Sequence, residues 1–306
     1  MARGRSRALL VTLLLVAGYG EIAMAGVLNC PPLVATSQIP GDPLKYPQGL
    51  VWRVTAAAGV ENVILGTMHV SDPRVHALAD VVREKLKHSD TFVMEVVLDI
   101  GALTRLQKAM FYSDGRSLRE IAGAEMFERT VAQLRRYGVP ARLAEVMKPW
   151  AAFTTLSMPV GQTGIPLDMV LMLEAQAAGK AVLGLETVAD QIAVFETLKE
   201  SEQVAMLLEL TCHYDVFQAE IEAMVERYAA RDLAGLMVLS LAHVDAGREP
   251  FLDALLWRRN TRMVERLRGI LDAGSAFVAV GALHLVGPRG ILERLEQLGY
   301  KVERIY

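Results

Sequence analysis

Two copies of a Gly-x-x-His pattern, each at the end of an apolar run, constrain the fold more than any other feature of the sequence. The first lies in Asn62–His69 (NVILGTMH) and the second in Ser275–His284 (SAFVAVGALH). Each apolar run predicts a buried strand, and each histidine precedes a predicted helix. Chance accounts for about half of one such pattern in a chain of this composition. Gly66 and Gly281 are expected to permit a tight turn and close backbone approach.

Histidines that follow neighbouring strands are expected to converge, because ligands bind at the carboxyl ends of strands in α/β sheets. His69 and His284 occupy such positions, and Glu95 lies in a third apolar run, VMEVV. A buried carboxylate is costly unless it is paired, ligated or at the open end of a strand. Two imidazoles and one carboxylate suit a divalent metal such as Zn, Mn or Co, with water in an open position.

The same three groups have other interpretations. Without a metal they could act as base, acid and orienting group on a bound water. More simply, each histidine could be hydrogen-bonded at a strand end, and Glu95 could pair with a structural arginine. Whether Glu95 is a metal ligand or a general base stays open at this point.

The chain as a whole predicts an α/β fold with a mixed central sheet flanked by helices. Helical periodicity dominates residues 99–272, which are expected to form a large insertion between the amino-terminal and carboxyl-terminal strand units. No composition break marks a linker, so 49–306 is predicted to be one domain. The predicted strands are Leu50–Thr55, Val63–Thr67, Thr91–Leu98, Ala181–Gly184, Ser275–Val280 and Lys301–Ile305.

Residues 1–25 have the features of a secretory signal peptide. Three arginines precede the apolar run Ala8–Gly18, and an A-x-A cleavage site ends at Ala25. The apolar run is too short to cross a bilayer, which requires roughly 20 residues. We therefore expect export, to a bacterial periplasm, and no membrane span in the mature chain. The alternative is an uncleaved signal that anchors the protein.

The segment after the predicted cleavage site is irregular and carries one of only two cysteines. Residues 26–48 hold five of the twelve prolines, and Cys30 lies among them. In an oxidising compartment, Cys30 and Cys212 are expected to form one disulfide. The alternative, a catalytic Cys212 with His213 as its base, is disfavoured because adjacent helical residues point about 100° apart.

Charge and motif content exclude several function classes. The net charge of −3 gives no basic surface for nucleic acid, and aromatic residues make up only 6% of the chain. The sequence contains no phosphate loop, no dinucleotide fingerprint, no H-E-x-x-H and no G-x-S-x-G. Nucleic acid is therefore not an expected partner.

The order GTMH, VMEV and GALHLVGPRGILERLEQLGYKV resembles the TraB/GumN family over about 48–306. That family is related to the Tiki proteins, which are described as metal-dependent proteases, and more distantly to erythromycin-esterase-like and ChaN-like folds. The resemblance implies that the matching motif positions form the active site. These positions are His69, Glu95 and His284, with Asp168, Glu186, Arg258, Arg259 and Asn260 as further candidates.

Two functions follow as hypotheses. The first is an exported hydrolase, such as a metal-dependent peptidase, in which Arg259 and Asn260 stabilise a developing oxyanion. The second is a non-catalytic periplasmic protein that sequesters a peptide or small ligand in the same cleft. Local structure offers simpler roles for the further candidates: Arg258 on a charged helix face, Asp168 in a first helical turn, and Glu186 before a helix cap.

Overall fold

The structure is a computed structural model, and it describes most of the predicted domain. The predicted signal peptide, residues 1–25, lies outside the described residues, as does most of the irregular segment 26–48. The described residues are 29–33, 44–77, 80–162, 164–244 and 248–306.

The described residues form a six-stranded mixed sheet, which confirms the predicted fold class. In spatial order the strands run β4-β3-β5-β2-β1-β6. Strands β2, β5, β3 and β4 are parallel, whereas β1 pairs antiparallel with both β2 and β6. The strands are β1 (Val51–Thr55), β2 (Glu61–Thr67), β3 (Thr91–Val96), β4 (Ala181–Glu186), β5 (Ala276–Gly281) and β6 (Lys301–Arg304).

The central strand β5 is apolar because it is covered on both faces. Its first five residues, Ala276–Val280, are all buried, as expected for a strand inside a parallel sheet. Phe277 stacks on Phe92 of β3 with ring centroids 6.1 Å apart. At the other side of the sheet, β1 and β2 form a hairpin, and Gly59 supplies the positive φ of its turn.

Helices cover the sheet and fill the predicted insertion. Two long helical stretches are divided: one at His213, and one by a π-helical turn at Asp253–Trp257. The helices are α1 (Pro73–His76), α2 (Asp80–Lys87), α3 (Ile100–Met110), α4 (Leu118–Ala122), α5 (Ala124–Leu134), α6 (Ala141–Ala144), α7 (Pro149–Leu156), α8 (Leu167–Ala177), α9 (Val188–Glu196), α10 (Glu200–Cys212), α11 (Tyr214–Ala229), α12 (Leu233–Leu241), α13 (Glu249–Leu252), α14 (Arg258–Ala273) and α15 (Ile291–Gln297).

The helical insertion has two parts with different cores. Strand β4 lies within it and returns to the main sheet as the neighbour of β3. Helices α4 to α7, α10 and the start of α11 enclose a second cluster of buried apolar side chains. The large residues of that cluster include Phe127, Leu134, Met147, Trp150 and Leu207. The insertion therefore combines part of the sheet layer with a separately packed helical bundle.

The predicted disulfide between Cys30 and Cys212 is present. It joins the segment before β1 to the end of α10 across 182 positions of sequence, with a Cα–Cα distance of 5.7 Å. His213 Nε2 also lies 2.7 Å from the carbonyl oxygen of Pro31, so the residues that follow the two cysteines contact each other as well. Among the described residues, no helix has the length and apolar character needed to cross a membrane.

Candidate functional site

The parallel register brings the two Gly-x-x-His segments side by side. Thr67 of β2 pairs with Gly281 of β5, so both strands end at the same edge of the sheet. Val96 of β3 pairs with Glu186 of β4 at that edge. The ends of β2, β3 and β5 border a cleft of about 300 Å³. Its lining residues are Thr67, His69, Met94, Glu95, Val96, Leu98, Leu106, Asp168, Met169, Val188, Gln191, Ala279 and Gly281.

The two motif glycines lie where neighbouring atoms leave no room for a side chain. Neither has a positive φ. A Cβ on Gly66 would lie 3.1 Å from the Cα of Ala282, in the second motif. A Cβ on Gly281 would lie 3.1 Å from Glu95 Oε1 and 3.4 Å from His284 Cδ2. The expected close approach is therefore observed at both positions, and a single 3-10 turn, Ala282–His284, directly follows Gly281.

Glu95 is held at the open end of β3 by two donors. Its Oε1 accepts the backbone N–H of Gly281 at 2.7 Å, and its Oε2 accepts Arg259 Nη2 at 2.6 Å. Burial by itself raises the pKa of Glu95, but His284, Arg259 and the Gly281 N–H together hold it well below its usual range. Glu95 is therefore an anion at neutral pH.

Arg259 bridges Glu95 to a second, fully buried carboxylate. Glu186 has a side chain with 0% exposure, and Arg259 Nε and Nη2 both lie within 2.9 Å of its Oε2. The Arg259 side chain is itself only 9% exposed. A third bond runs from Arg259 Nη1 to the carbonyl of Leu255. The guanidinium therefore holds the two carboxylates in place, and a buried cation of this kind is tolerated because it is paired.

His284 is buried, and Asn260 sets its tautomer. The amide nitrogen of Asn260 donates to the carbonyl oxygen of Arg289 at 2.9 Å, which turns its Oδ1 toward His284 Nδ1 at 2.6 Å. Nδ1 must then carry the proton, and the neutral ring has its lone pair on Nε2. That nitrogen lies 3.7 Å from Glu95 Oε1. Burial lowers the pKa of His284, with the charge of Glu95 opposing.

His69 has the opposite environment, and Asp168 is its partner. Its Nδ1 lies 3.0 Å from Asp168 Oδ2 and 3.1 Å from Oδ1, and its side chain is 58% exposed. The hydrogen bond with Asp168 raises the pKa of His69, with burial opposing. The pKa values of the two motif histidines are thus shifted in opposite directions, that of His69 toward the charged form and that of His284 toward the neutral form.

The family model for TraB/PrgY/gumN proteins matches residues 50–304. The chain belongs to this family. A curated relative, the metalloprotease TIKI2 of Danio rerio, is 27% identical over 172 residues, which cover 47% of this chain and 33% of TIKI2. The chain therefore spans about a third of the length of the relative it matches.

Most of the candidate positions in this TraB/PrgY/gumN chain lie at one site. Glu95, His284 and the Arg259–Glu186 pair are connected by contacts, and Asp168 holds His69 at the border of the same cleft. Arg258 is not part of it, because its exposed side chain forms an ion pair with Asp253 at 3.0 Å. The expected oxyanion role of Arg259 and Asn260 stays a prediction, since their observed partners are protein groups.

Sequence reasoning missed Tyr228 of α11. Its hydroxyl donates to the carbonyl oxygen of Gly66 at 2.8 Å, and its side chain is among the largest that are fully buried. The contact fixes the end of β2, where the first Gly-x-x-His segment begins. A tyrosine 162 positions from its partner gives no local signal in the sequence.

The donor set of the TraB/PrgY/gumN site fits a divalent metal in chemical type. His69 and His284 are each anchored through Nδ1 by an oxygen, which is how metal-ligating histidines are usually held. Glu95 adds a carboxylate. Within the described ranges, however, no three His, Cys, Asp or Glu side chains are gathered closely enough to hold an ion. The side chains are arranged as a His69–Asp168 pair and a Glu95–His284 pair.

Proposed function

We propose that the protein is an exported hydrolase that cleaves peptide bonds with water activated at the carboxyl ends of β2, β3 and β5. The observation that carries the proposal is the opposite setting of the two motif histidines: His69 lines the cleft, and His284 is buried next to Glu95, which lines it. His284 has its lone pair on Nε2 beside Glu95, whereas His69 is held toward its charged form by Asp168. Pairs of titratable groups whose environments separate their pKa values identify a base and an acid.

In this mechanism His284 is the base. Its Nε2 takes a proton from water, and the resulting imidazolium is stabilised by the Glu95 carboxylate 3.7 Å away. Glu95 itself is a poor base, because its pKa lies far below neutral pH. Its role is to orient and to stabilise charge, and Arg259 keeps it ionised and in position.

His69 is the acid of the proposed reaction. The water oxygen bonds to the scissile carbonyl carbon, and the C–N bond of the tetrahedral intermediate then breaks. The leaving amine takes its proton from His69, which Asp168 orients. Arg259 and Asn260 act through Glu95 and His284 in this scheme, so we propose them as positioning residues.

His69, Glu95 and His284 are also the residues that would hold a Zn, Mn or Co ion. Such an ion would lower the pKa of a bound water and polarise the scissile carbonyl. The relative TIKI2, which is named a metalloprotease, supports this part of the proposal. Elemental analysis of wild type, His69→Ala and His284→Ala tests it. About one equivalent lost in both variants is expected, and no metal in any sample after reloading with each ion would contradict it.

Export is supported by the Cys30–Cys212 disulfide, because such bonds persist in oxidising compartments. We propose the bacterial periplasm and removal of residues 1–25. The amino terminus of the chain purified from the periplasm, read by mass spectrometry, tests both points. A mature terminus at Gly26 is the expected result, and full-length chain in the membrane fraction would support the uncleaved anchor instead.

Incubation with a mixed peptide library, with new termini read by mass spectrometry, tests the hydrolase. We expect cleavage by wild type and at least a 100-fold loss in Glu95→Gln and His284→Ala. The matched controls are Glu265→Gln, exposed on α14, and His88→Ala, exposed in the turn after α2, and they should cleave like wild type. Retention of peptides without cleavage would favour the sequestering protein.

A further inference from the structure

The cleft beside the candidate site has an apolar wall that the proposed chemistry does not use. Six of its lining side chains are Met94, Val96, Leu98, Leu106, Met169 and Val188. They come from β3 and the turn after it, and from helices α3, α8 and α9. Apolar side chains from four elements therefore face the same space as Glu95 and His69.

The charged groups that line the cleft are already paired. Glu95 is bound by Arg259 and the Gly281 N–H, and Asp168 is bound by His69. Neither lysine nor arginine is among the described residues that line it. A charged substrate side chain would find no opposite charge there without breaking one of these pairs, so the cleft favours an uncharged, apolar group.

We propose that this cleft is a specificity pocket for one large apolar side chain, such as Leu, Met or Phe, next to the scissile peptide bond. The inference rests on the proposed function. A volume of about 300 Å³ lies at the lower end for ligand sites, which suits a short stretch of chain and not a folded partner. Thr67 and Gln191 add polar groups to the lining, which suit the amides of a peptide and not a lipid chain.

Leu106 offers the sharpest test because α3 also provides a control. Leu106 lines the cleft, whereas Leu103, one turn earlier, is exposed and does not line it. Leu106→Phe is expected to narrow the pocket, and Leu106→Ala to widen it. Leu103→Phe makes the same chemical change on the same helix without altering the pocket.

The experiment profiles cleavage of the mixed peptide library by wild type and these variants. We expect wild type to prefer Leu, Met or Phe over Ala at one position beside the cut by on the order of 10- to 100-fold in kcat/KM. Leu106→Phe should shift the preference toward Ala and Val, Leu106→Ala should shift it toward Phe, and Leu103→Phe should match wild type. Thermal unfolding checks that each variant is folded.

The outcomes separate the two proposals. Cleavage without side-chain preference, or a preference that Leu106→Phe leaves unchanged, overturns the pocket and leaves the hydrolase standing. If wild type cleaves nothing, the hydrolase fails, and the library is then passed over immobilised protein. Retention of apolar peptides that Leu106→Phe reduces supports the pocket in a binding protein, and no selective retention overturns it.

Discussion

Replacing Arg259 by methionine tests the central electrostatic feature of the site. The change removes the cation between Glu95 and Glu186 while keeping much of the side-chain volume. Removing one partner of a buried ion pair costs about 3–5 kcal/mol, because the other charge is left buried and uncompensated. Arg262 stays 3.5 Å from Glu186 Oε1, so we expect the lower end, about 3 kcal/mol.

Urea unfolding at pH 7 measures this cost, and Arg258→Met is the matched control. Arg258 is the preceding residue, and its ion pair with Asp253 is exposed, so its loss should cost no more than about 1 kcal/mol. In Arg259→Met the loss of unfolding free energy relative to wild type should be smaller at pH 5 than at pH 7. Protonation of the Glu186 carboxylate, which has lost Arg259, removes the uncompensated buried charge.

The double variant Arg259→Met/Glu186→Met completes a thermodynamic cycle. Since it removes both charges and leaves apolar groups, it should recover at least 2 kcal/mol relative to the sum of the single variants. In this double variant Glu95 still accepts the Gly281 N–H and its side chain is 23% exposed. Its charge is therefore not left buried and uncompensated, as that of Glu186 would be in the single variant. Additive costs, or an Arg259→Met cost no larger than that of Arg258→Met, would refute the reasoning.

Four further outcomes follow from particular contacts. The pKa of Glu95 is lowered to about 2, below its unfolded value, so stability is lost as pH falls from about 5 to 2, by up to about 3 kcal/mol. Urea midpoints measured over a pH series should show this loss, and the midpoint should depend less on pH in Glu95→Gln than in wild type. Replacing Cys30 and Cys212 by serine removes the disulfide that closes a loop of 182 positions. This variant should lose up to about 5 kcal/mol of unfolding free energy, measured by thermal unfolding. Tyr228→Phe removes the hydrogen bond to the Gly66 carbonyl oxygen. It should lower the unfolding free energy measured in urea by about 1–2 kcal/mol, and it should also lower kcat. Gly66→Val places a side chain against Ala282 of the second motif. It should lower the unfolding free energy measured in urea by about 1–3 kcal/mol.

Each of these outcomes has a result that would contradict it. If stability falls with pH as steeply in Glu95→Gln as in wild type, a group other than Glu95 causes the loss. An unchanged melting temperature in the serine variant would mean that the bridge constrains nothing. Full activity in Tyr228→Phe would make that contact structural only, and wild-type stability in Gly66→Val would show that the two motif segments can separate without cost.

The parts of the site that the sequence predicts are those with a local signal. Each Gly-x-x-His follows an apolar strand within a few residues, and Glu95 stands out because a carboxylate interrupts an apolar run. The sheet was predictable for the same reason, because the alternation of apolar runs and turn residues marks the strands. Position at the carboxyl end of a strand then places these groups at one edge.

The rest depends on pairings that no local pattern reveals. Arg259 lies 164 positions from Glu95 and 73 from Glu186, and no local pattern in the sequence shows that these two carboxylates are its partners. The π-helical turn at Asp253–Trp257 immediately precedes both arginines and alters the helical periodicity from which their faces would be judged. Only the packed structure shows which arginine is buried.

The place of β5 in the sheet has a consequence for when the candidate site forms. Strands β2 and β3 are consecutive in sequence, yet β5 lies between them and pairs with both. A chain that emerges amino terminus first, from the ribosome or, in the proposed export, from a membrane channel, cannot join these two strands until residues 276–281 have followed. The sheet, and the edge that carries the candidate site, therefore assemble only after nearly the whole chain has emerged, so a partly emerged chain carries no folded site.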